Sequence, residues 1–460
     1  MNNFNEFINL LKQSKIAIIG AGVSNIPLIK YLLKKDCNIT LFDKKELDEI
    51  NDDIKELINT NKIKSSLGET YLENLVGFDI IFRSPSMLPT NKYLTEEKSR
   101  GAIITTEIEQ VLKYSKAKTI GITGSKGKTT TTTITNEILA NLGYKTHLGG
   151  NIGIPLFDKI EEIKEEDIVI LELSSFQLMN MEVSPNIAVI TNISPDHLDI
   201  HSSYEEYIDA KKYIFKNQTD KDTLILNYDD EIVNTFAKEA KANIKYFADN
   251  YIKDCYVLNG NYISYNNKDI LDTTKFYLKG KHNYLNVCAS LNAIKEYINV
   301  SNEDLENIIK EINSVHHRLE FVREINGVKW YNDSASTTPD KSLAGINAFD
   351  NDIVLIAGGY DKNIEYDTLA KPILDKVSKL ILFGQTKDKI YNAVMKEIKN
   401  RSDVKTKIYL MDTLEEVVSI ASRISEANEV VLFSPASASF DMFKNAYQRG
   451  DLFKNLVNNL

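Results

Sequence analysis

Cysteine is scarce in this chain, and long apolar runs and a basic surplus are absent. Only three cysteines occur in 460 residues: Cys37, Cys255 and Cys288. They stand far apart with no metal-ligand spacing. A disulfide framework or zinc knuckle is therefore excluded, and they read as reduced, packed thiols of a cytosolic protein. No apolar stretch approaches the roughly 18–20 residues that span a bilayer. Residues 1–15 lack the basic start, apolar centre and small-residue cleavage site of a signal peptide. Lysine and arginine number 55 against 65 aspartates and glutamates, a formal net charge of −10. That disfavours a nucleic-acid binder but leaves open a nucleotide enzyme, whose cations are local. No internal repeat or low-complexity linker is present.

What is there is a chain too long for one core. Its 460 residues predict about three domains. Short apolar strands alternate with helical patterns throughout, the signature of an α/β fold with mainly parallel sheets. Strands are expected at 16–19, 39–42 and 79–82 in a first block, at 168–171 and 188–191 in a second, with an apolar run at 119–120 leading into its glycine-rich loop, and at 330–331, 353–357, 380–383 and 430–433 in a third. A hairpin-like insertion is expected over 255–265.

The most informative stretch is 121–131, GITGSKGKTTT, which follows an apolar run and opens a helical pattern. Glycines let a loop curl so that several N–H groups face one anion. Lys128 adds a point charge, and the hydroxyls of Thr129 and Thr130 can reach a metal ion or a phosphate oxygen. Gly124, Ser125, Lys126 and Gly127 complete the loop, and a nucleoside triphosphate with magnesium is the expected ligand. The spacing departs from a strict Walker loop, since five residues rather than four separate Gly121 from Gly127.

Other candidates sit at the carboxyl ends of predicted strands, where open α/β sheets bind ligands. Gly20-Ala21-Gly22-Val23-Ser24-Asn25, with Asp43 ending the next strand, resembles a dinucleotide fingerprint. Asn25 stands in the third glycine's place, so a nucleotide other than NAD is the better reading, with Asp43 and Lys44 near base or ribose. Glu172 ends a buried strand as a candidate magnesium ligand. Asp196, His197 and Asp199 follow the next. Asn283 and Asn286 lie at a helix start, where an amide suits an adenine edge. Arg318 can clamp phosphate bidentately, though alone it reads as a surface ion-pair partner. Segments 330–334, 357–362 and 434–440 end three strands of the third block and point to one binding edge. The loop alone also fits an ATPase or nucleotide switch that signals to a protein partner.

In this order the motifs resemble the Mur ligase family, ATP-dependent amino-acid ligases of peptidoglycan synthesis, from Gly20 to about Phe453. The pieces that carry the resemblance are TGSKGKTTT, GGNIG (149–153), LELSSFQL (171–178), NISPDHLD (192–199), YIDAKKYIF (207–215), KHNYLN (281–286), HHRLE (316–320) and YNDSAS (331–336). The resemblance implies three domains. They are a Rossmann-like domain for the UDP substrate (1–106), a central P-loop ATPase-like domain with a parallel sheet (107–314) and a C-terminal Rossmann-like domain for the amino acid (315–460). It implies ATP, two Mg2+ ions, UDP-N-acetylmuramoyl-L-alanine and D-glutamate as ligands, with no nucleic-acid or membrane partner and a monomeric state. Val23, Ser24, Asp43, Lys44, Asn151 and Ser174 would hold the UDP substrate. Lys128 and the loop amides would hold ATP, with Asn283, Asn286, Arg318 and Asp333. Thr129 and Glu172 would bind one Mg2+, His197 and a carbamylated Lys211 the second. Thr337, Lys362, Ser439 and Phe440 would receive D-glutamate. Another family member, or a folylpolyglutamate-type ligase, is the alternative; the Rossmann-like first block argues against the folate enzyme. Three positions depart from the family pattern: Ser86, Ala335 and Ala446.

Overall fold

The computed structural model describes residues 3–196, 200–250, 254–258, 261–276, 278, 280–295, 300–312, 317–399, 401 and 404–460. It divides into two compact units, Met1–Leu258 with Ser264–Lys268 and Leu285–Val300, and Asn259–Ile263 with Asp269–Tyr284 and Ser301–Leu460. Among the described residues no helix is long and apolar enough to cross a membrane. All three cysteines are buried and unbridged.

The first unit holds two parallel sheets. In the first, strands β1 (Lys15–Ile19), β2 (Asn38–Asp43), β3 (Lys64–Leu67), β4 (Ile80–Phe82) and β5 (Ile103–Thr105) line up as β3-β2-β1-β4-β5. All neighbours are parallel. Strand order reverses at β1 and β4, the crevice where such sheets take ligands. The turn at Gly20 and the segment 83–86 open there.

The second sheet contains β6 (Lys118–Thr123), β7 (Thr146–Gly150), β8 (Ile168–Glu172), β9 (Ile187–Ile190), β10 (Thr223–Asn227), β11 (Asn243–Asp249) and β12 (Cys255–Leu258). Its order across these strands is β12-β11-β10-β9-β6-β8-β7. Every residue of β8, β9 and β10 is buried. Continuous apolar runs suit strands covered on both faces, each large side chain contributing ~1.5–3 kcal/mol. Strands β13 (Tyr262–Tyr265) and β14 (Lys268–Asp272) follow in the chain. The expected hairpin over 255–265 is corrected in one respect: β12 pairs with β11 in parallel and so extends the sheet. Cys255, Tyr256 and Val257 are all buried, which a solvent-facing ribbon would not require.

Glu107, at the start of a helix, is 7% exposed, and its carboxylate accepts from the N–H groups of Leu156 and Phe157 at 3.1 Å each. Burial outweighs these bonds and pushes its pKa up to about 7. The folded carboxyl thus holds its proton more tightly than the unfolded one. Its contribution is fully present below the ordinary carboxyl range and is lost as pH rises toward 7. Glu107→Gln should therefore be the more stable protein at pH 8, by about 3 kcal/mol at most, with the gap closing near pH 4. Denaturant melts across that range check it, and a constant gap would refute it.

The second unit carries β15 (Glu320–Ile325), β16 (Val328–Asn332), β17 (Ile353–Gly358), β18 (Val377–Phe383), β19 (Lys407–Leu410) and β20 (Val430–Phe433), ordered β15-β16-β20-β17-β18-β19. Only β15 is antiparallel to its neighbour. The three segments expected to share one edge do so: β16, β20 and β17 are adjacent.

Candidate active site

The loop after β6 runs into a helix at Lys128–Asn141 that contains six threonines. β-Branched residues are indifferent helix formers, so packing rather than propensity sets this helix. Thr131, Thr132 and Thr135 are buried, and Thr135 Oγ1 donates to the Thr131 carbonyl at 2.7 Å. Gly127 caps the helix with φ 85 and no side chain, which leaves the first-turn N–H groups open to an anion. A Cβ on Gly127 would come within 2.6 Å of Asn286 Oδ1.

Neighbouring strands fix the loop. Ser125 N donates to the Asn192 carbonyl at 2.8 Å and Lys126 N to Asn192 Oδ1 at 2.9 Å. Thr191 Oγ1 donates to the Lys126 carbonyl at 2.6 Å. Lys128 Nζ folds back onto the carbonyls of Gly124 and Ser125 at 2.7 and 2.9 Å.

Lys211, which alone would read as an exposed helical lysine, is 1% exposed. Its Nζ donates to the Gly124 carbonyl at 2.9 Å and lies 4.7 Å from the Tyr207 ring centroid. Burial holds the ammonium well below its usual pKa, Lys128 pushes the same way, and Asp196 and Glu172 oppose. Glu172 is 1% exposed. Its Oε1 accepts from Asn151 Nδ2 at 2.7 Å, while Oε2 has no hydrogen-bond partner among the described residues. A cavity of about 420 Å³ joins these groups, lined by Ser86, Lys128, Asn151, Ser174, Tyr207 and Lys211 together with Pro85, Ser175, Phe176 and Ile200.

The geometry thus brings together Lys128, Lys211, Asn151 and Ser174 around one space, with Glu172 behind Asn151. Thr129 and Thr130 follow Lys128 on the loop helix. Asn286 holds that helix by accepting from Thr131 Oγ1 at 3.2 Å. Asn283, one turn earlier, is 4% exposed, and the helix carrying both spans Lys281–Ile294, so both lie in its first two turns as expected. His197 and Asp199 lie outside the described residues, as does His316.

At the first sheet, Asp43 accepts from Ala21 N at 2.7 Å and from Lys45 N at 2.9 Å, so it locks the Gly20 turn. Asn25 turns inward and donates to the carbonyls of Ile19 and Gly20 at 3.0 and 2.8 Å. Val23 is 80% exposed at this mouth, Ser24 stands just before the following helix without a side-chain bond to its first turn, and Lys44 pairs loosely with Glu69 at 3.4 Å.

In the second unit, Asp333 follows β16 and is buried. Burial pushes its pKa up to about 6 against hydrogen bonds from Ser336, Ser434 and Leu319 N and the charge of Arg318. Lys362 Nζ lies 5.5 Å from the Phe440 ring centroid, so two residues expected at the acceptor meet. Ser439 is buried and Thr337 half-buried on the same edge.

Sequence reasoning missed Arg449. It is fully buried and donates to Ser334 Oγ at 3.1 Å and to the carbonyls of Ser334, Ser437 and Ala438 at 2.9, 3.0 and 2.9 Å. It ties the segment after β16 to the segment after β20. It also missed Tyr207, four residues before Lys211 and so on the same helix face, a spacing that could have revealed it.

Three family models match this chain: the Mur ligase MurD-like N-terminal domain over 14–106, the Mur ligase middle domain over 122–294, and the Mur ligase glutamate ligase domain over 317–437. The chain belongs to the Mur ligase family. This Mur ligase is 45% identical to the UDP-N-acetylmuramoylalanine–D-glutamate ligase of Clostridium perfringens, covering 100% of this chain and 99% of that protein. It is 46% identical to the enzyme of the same name from Clostridium novyi, covering 99% of each. Solved Mur ligases share the fold. The D-alanyl-D-alanyl-adding ligase of Acinetobacter baumannii has a TM-score of 0.60 at 14% identity, covering 100% of this chain and 98% of that one. The MurF ligase of Thermotoga maritima in complex with ADP has 0.58 at 18%, covering 96% and 95%.

Proposed function

We propose that this Mur ligase joins D-glutamate to UDP-N-acetylmuramoyl-L-alanine at the expense of ATP, with three domains at 1–106, 107–314 and 315–460. One observation carries the reading: two lysines on a glycine-rich loop and its neighbouring helix line the same 420 Å³ space as Ser86, Asn151 and Ser174. Its chemistry suits two anions that must be brought together against their repulsion, a triphosphate and a carboxylate.

A free carboxylate does not acylate an amine, because oxide is too poor a leaving group. Transfer of the γ-phosphoryl group to the alanyl carboxylate gives an acyl phosphate. The glutamate amine attacks its carbonyl carbon, and the tetrahedral adduct expels phosphate. Lys128 and the loop amides of 124–130 hold the triphosphate and neutralise charge that builds in transfer. Asn151 and Ser174 orient the donor carboxylate, while Val23, Ser24, Asp43 and Lys44 hold its uridine end. Asn283, Asn286, Arg318 and Asp333 are assigned to ATP, and Thr337, Lys362, Ser439 and Phe440 to D-glutamate, with Lys362 facing an acceptor carboxylate. No side chain need act as a strong nucleophile; positioning carries most of the rate.

The residues fit magnesium: Glu172 Oε2 is a buried oxygen without a donor among the described residues, as expected of a group whose valence a cation completes. Thr129 and Glu172 would hold one ion and His197 with Lys211 the other. Bound Mg2+ would supply charge neutralisation on the phosphates. A carbamate on Lys211 would replace one of two neighbouring cations by an anion.

The test is phosphate release from MgATP and UDP-N-acetylmuramoyl-L-alanine with D-glutamate, L-glutamate, L-alanine and L-lysine in parallel. Release specific to D-glutamate, with a product heavier by one glutamyl residue, is expected. Release with another amino acid would discard the assignments of Lys362 and Ser439. No release would discard the donor.

A further inference from the structure

Arg83 reaches four backbone carbonyls, and they belong to two segments that wall the same cavity. Its Nη1 donates to the Met87 carbonyl at 3.2 Å and grazes that of Ser84 at 3.5 Å. Its Nη2 donates to the carbonyls of Phe176 and Met179 at 3.1 and 2.8 Å. Met87 closes the turn that carries Pro85 and Ser86. Phe176 lies within the short helix Ser175–Leu178, which Ser174 caps at its start and Met179 follows at its end. Ser86 on one side and Ser174 and Phe176 on the other line the cavity.

The guanidinium is 4% exposed and has no carboxylate within ion-pair distance among the described residues. Burial pushes its pKa down to about 10, with the field of Glu109 opposing. Glu109 is itself engaged by Thr105 Oγ1 and by Glu182 N, each at 2.8 Å. A buried cation spent on main-chain carbonyls is a costly way to stabilise a fold, since an apolar residue would fill the space more cheaply. Its return is geometric. A planar fork with divergent donors fixes two backbone segments at a set separation, which the single ammonium of lysine cannot reproduce.

We infer that Arg83 is a positioning residue for the donor substrate, setting the distance between the 84–87 turn and the 174–176 wall. This rests on reading the cavity as the donor site. No contact between Arg83 and substrate is required. The effect is transmitted through Ser86 and Ser174, whose misplacement weakens the hold on the donor equally in ground and transition states and so shows in KM rather than kcat.

The test uses the full chain with Arg83→Met and Arg83→Lys, varying donor, ATP and D-glutamate in turn and recording melting temperature. In Arg83→Met the donor KM should rise about tenfold, with ATP and D-glutamate KM values within about twofold and kcat at saturating donor largely kept. Arg83→Lys should fall between it and the parent. An unchanged donor KM, or equal rises for all three substrates, would overturn the inference. Should the methionine variant fail to fold, the lysine variant decides by the same ratio of donor to ATP KM. Turnover of the parent protein with the donor is measured first. Its absence would overturn the donor reading whatever Arg83 does, whereas parent turnover with an unmoved donor KM in the variants would overturn Arg83's role alone.

Discussion

Glu172→Gln is expected to lower kcat about a thousandfold, roughly 4 kcal/mol of transition-state stabilisation, while leaving the fold intact. The substitution keeps an oxygen to accept from Asn151 Nδ2, so the wall of the cavity survives. What it removes is the negative charge at the buried oxygen that no donor among the described residues satisfies. If that oxygen serves a cation, the loss cannot be met by the amide, whose nitrogen would face the ion. Phosphate release at rising magnesium, with a melting temperature alongside, makes the measurement. Turnover within threefold of the parent at every magnesium level would discard the metal assignment. A fall in melting temperature that accounts for the loss would mean that Glu172 only holds Asn151.

Gly124→Ala should be nearly as severe by a different route. Gly124 sits at φ 145, and a Cβ there would lie 1.9 Å from Thr191 Oγ1 and 3.1 Å from the Asn192 carbonyl. Thr191 cannot simply yield, because its hydroxyl holds the carbonyl of Lys126. Backbone strain of ~1–3 kcal/mol adds to the collision. The loop must move, and with it the carbonyl that both Lys128 and Lys211 grip. We expect kcat/KM for ATP to fall by about two to three orders of magnitude. Gly143→Ala is the control: its φ is 86 but nothing lies within 4 Å, so it should cost about 1 kcal/mol of stability and leave ATP use alone. Equal ATP kinetics in the two variants would refute the collision.

Much of this was legible beforehand, for identifiable reasons. Phosphate loops and strand-end carboxylates depend on residue type, since only glycine tolerates the backbone and only an acid can ligate, so Gly124, Lys128 and Glu172 announce themselves. The adjacency of β16, β20 and β17 follows from placing small or acidic residues after three buried strands. Arg83 and Arg449 were invisible because nearly all their acceptors are main-chain carbonyls, which every residue supplies and no spacing betrays. Lys211 was assigned through resemblance, although Tyr207, Ala210, Ile214 and Phe215 at helical spacing already put it on the apolar face of its helix; what the pattern could not say is why a lysine should sit there. The departures from the family pattern have a like explanation at two positions. Ala335 donates through its N–H to the His317 carbonyl, and Ala446 offers its carbonyl to Ser334 Oγ at 2.7 Å. Both use backbone alone, so the side chain is open to change. Ser86 differs, since it lines the cavity and pairs with Ser84 Oγ at 2.9 Å.

The knot at Arg449 has an evolutionary corollary. Because one interior guanidinium keeps the 334 and 437–438 segments in place, the tip beyond the second of them, Phe440 at 57% exposed, is not needed to hold those segments. On the proposed acceptor assignment of Phe440, framework and selectivity are thereby separated: drift at that tip would retune which amino acid is accepted at little thermodynamic risk, whereas drift at 449 would disturb the whole edge of the sheet.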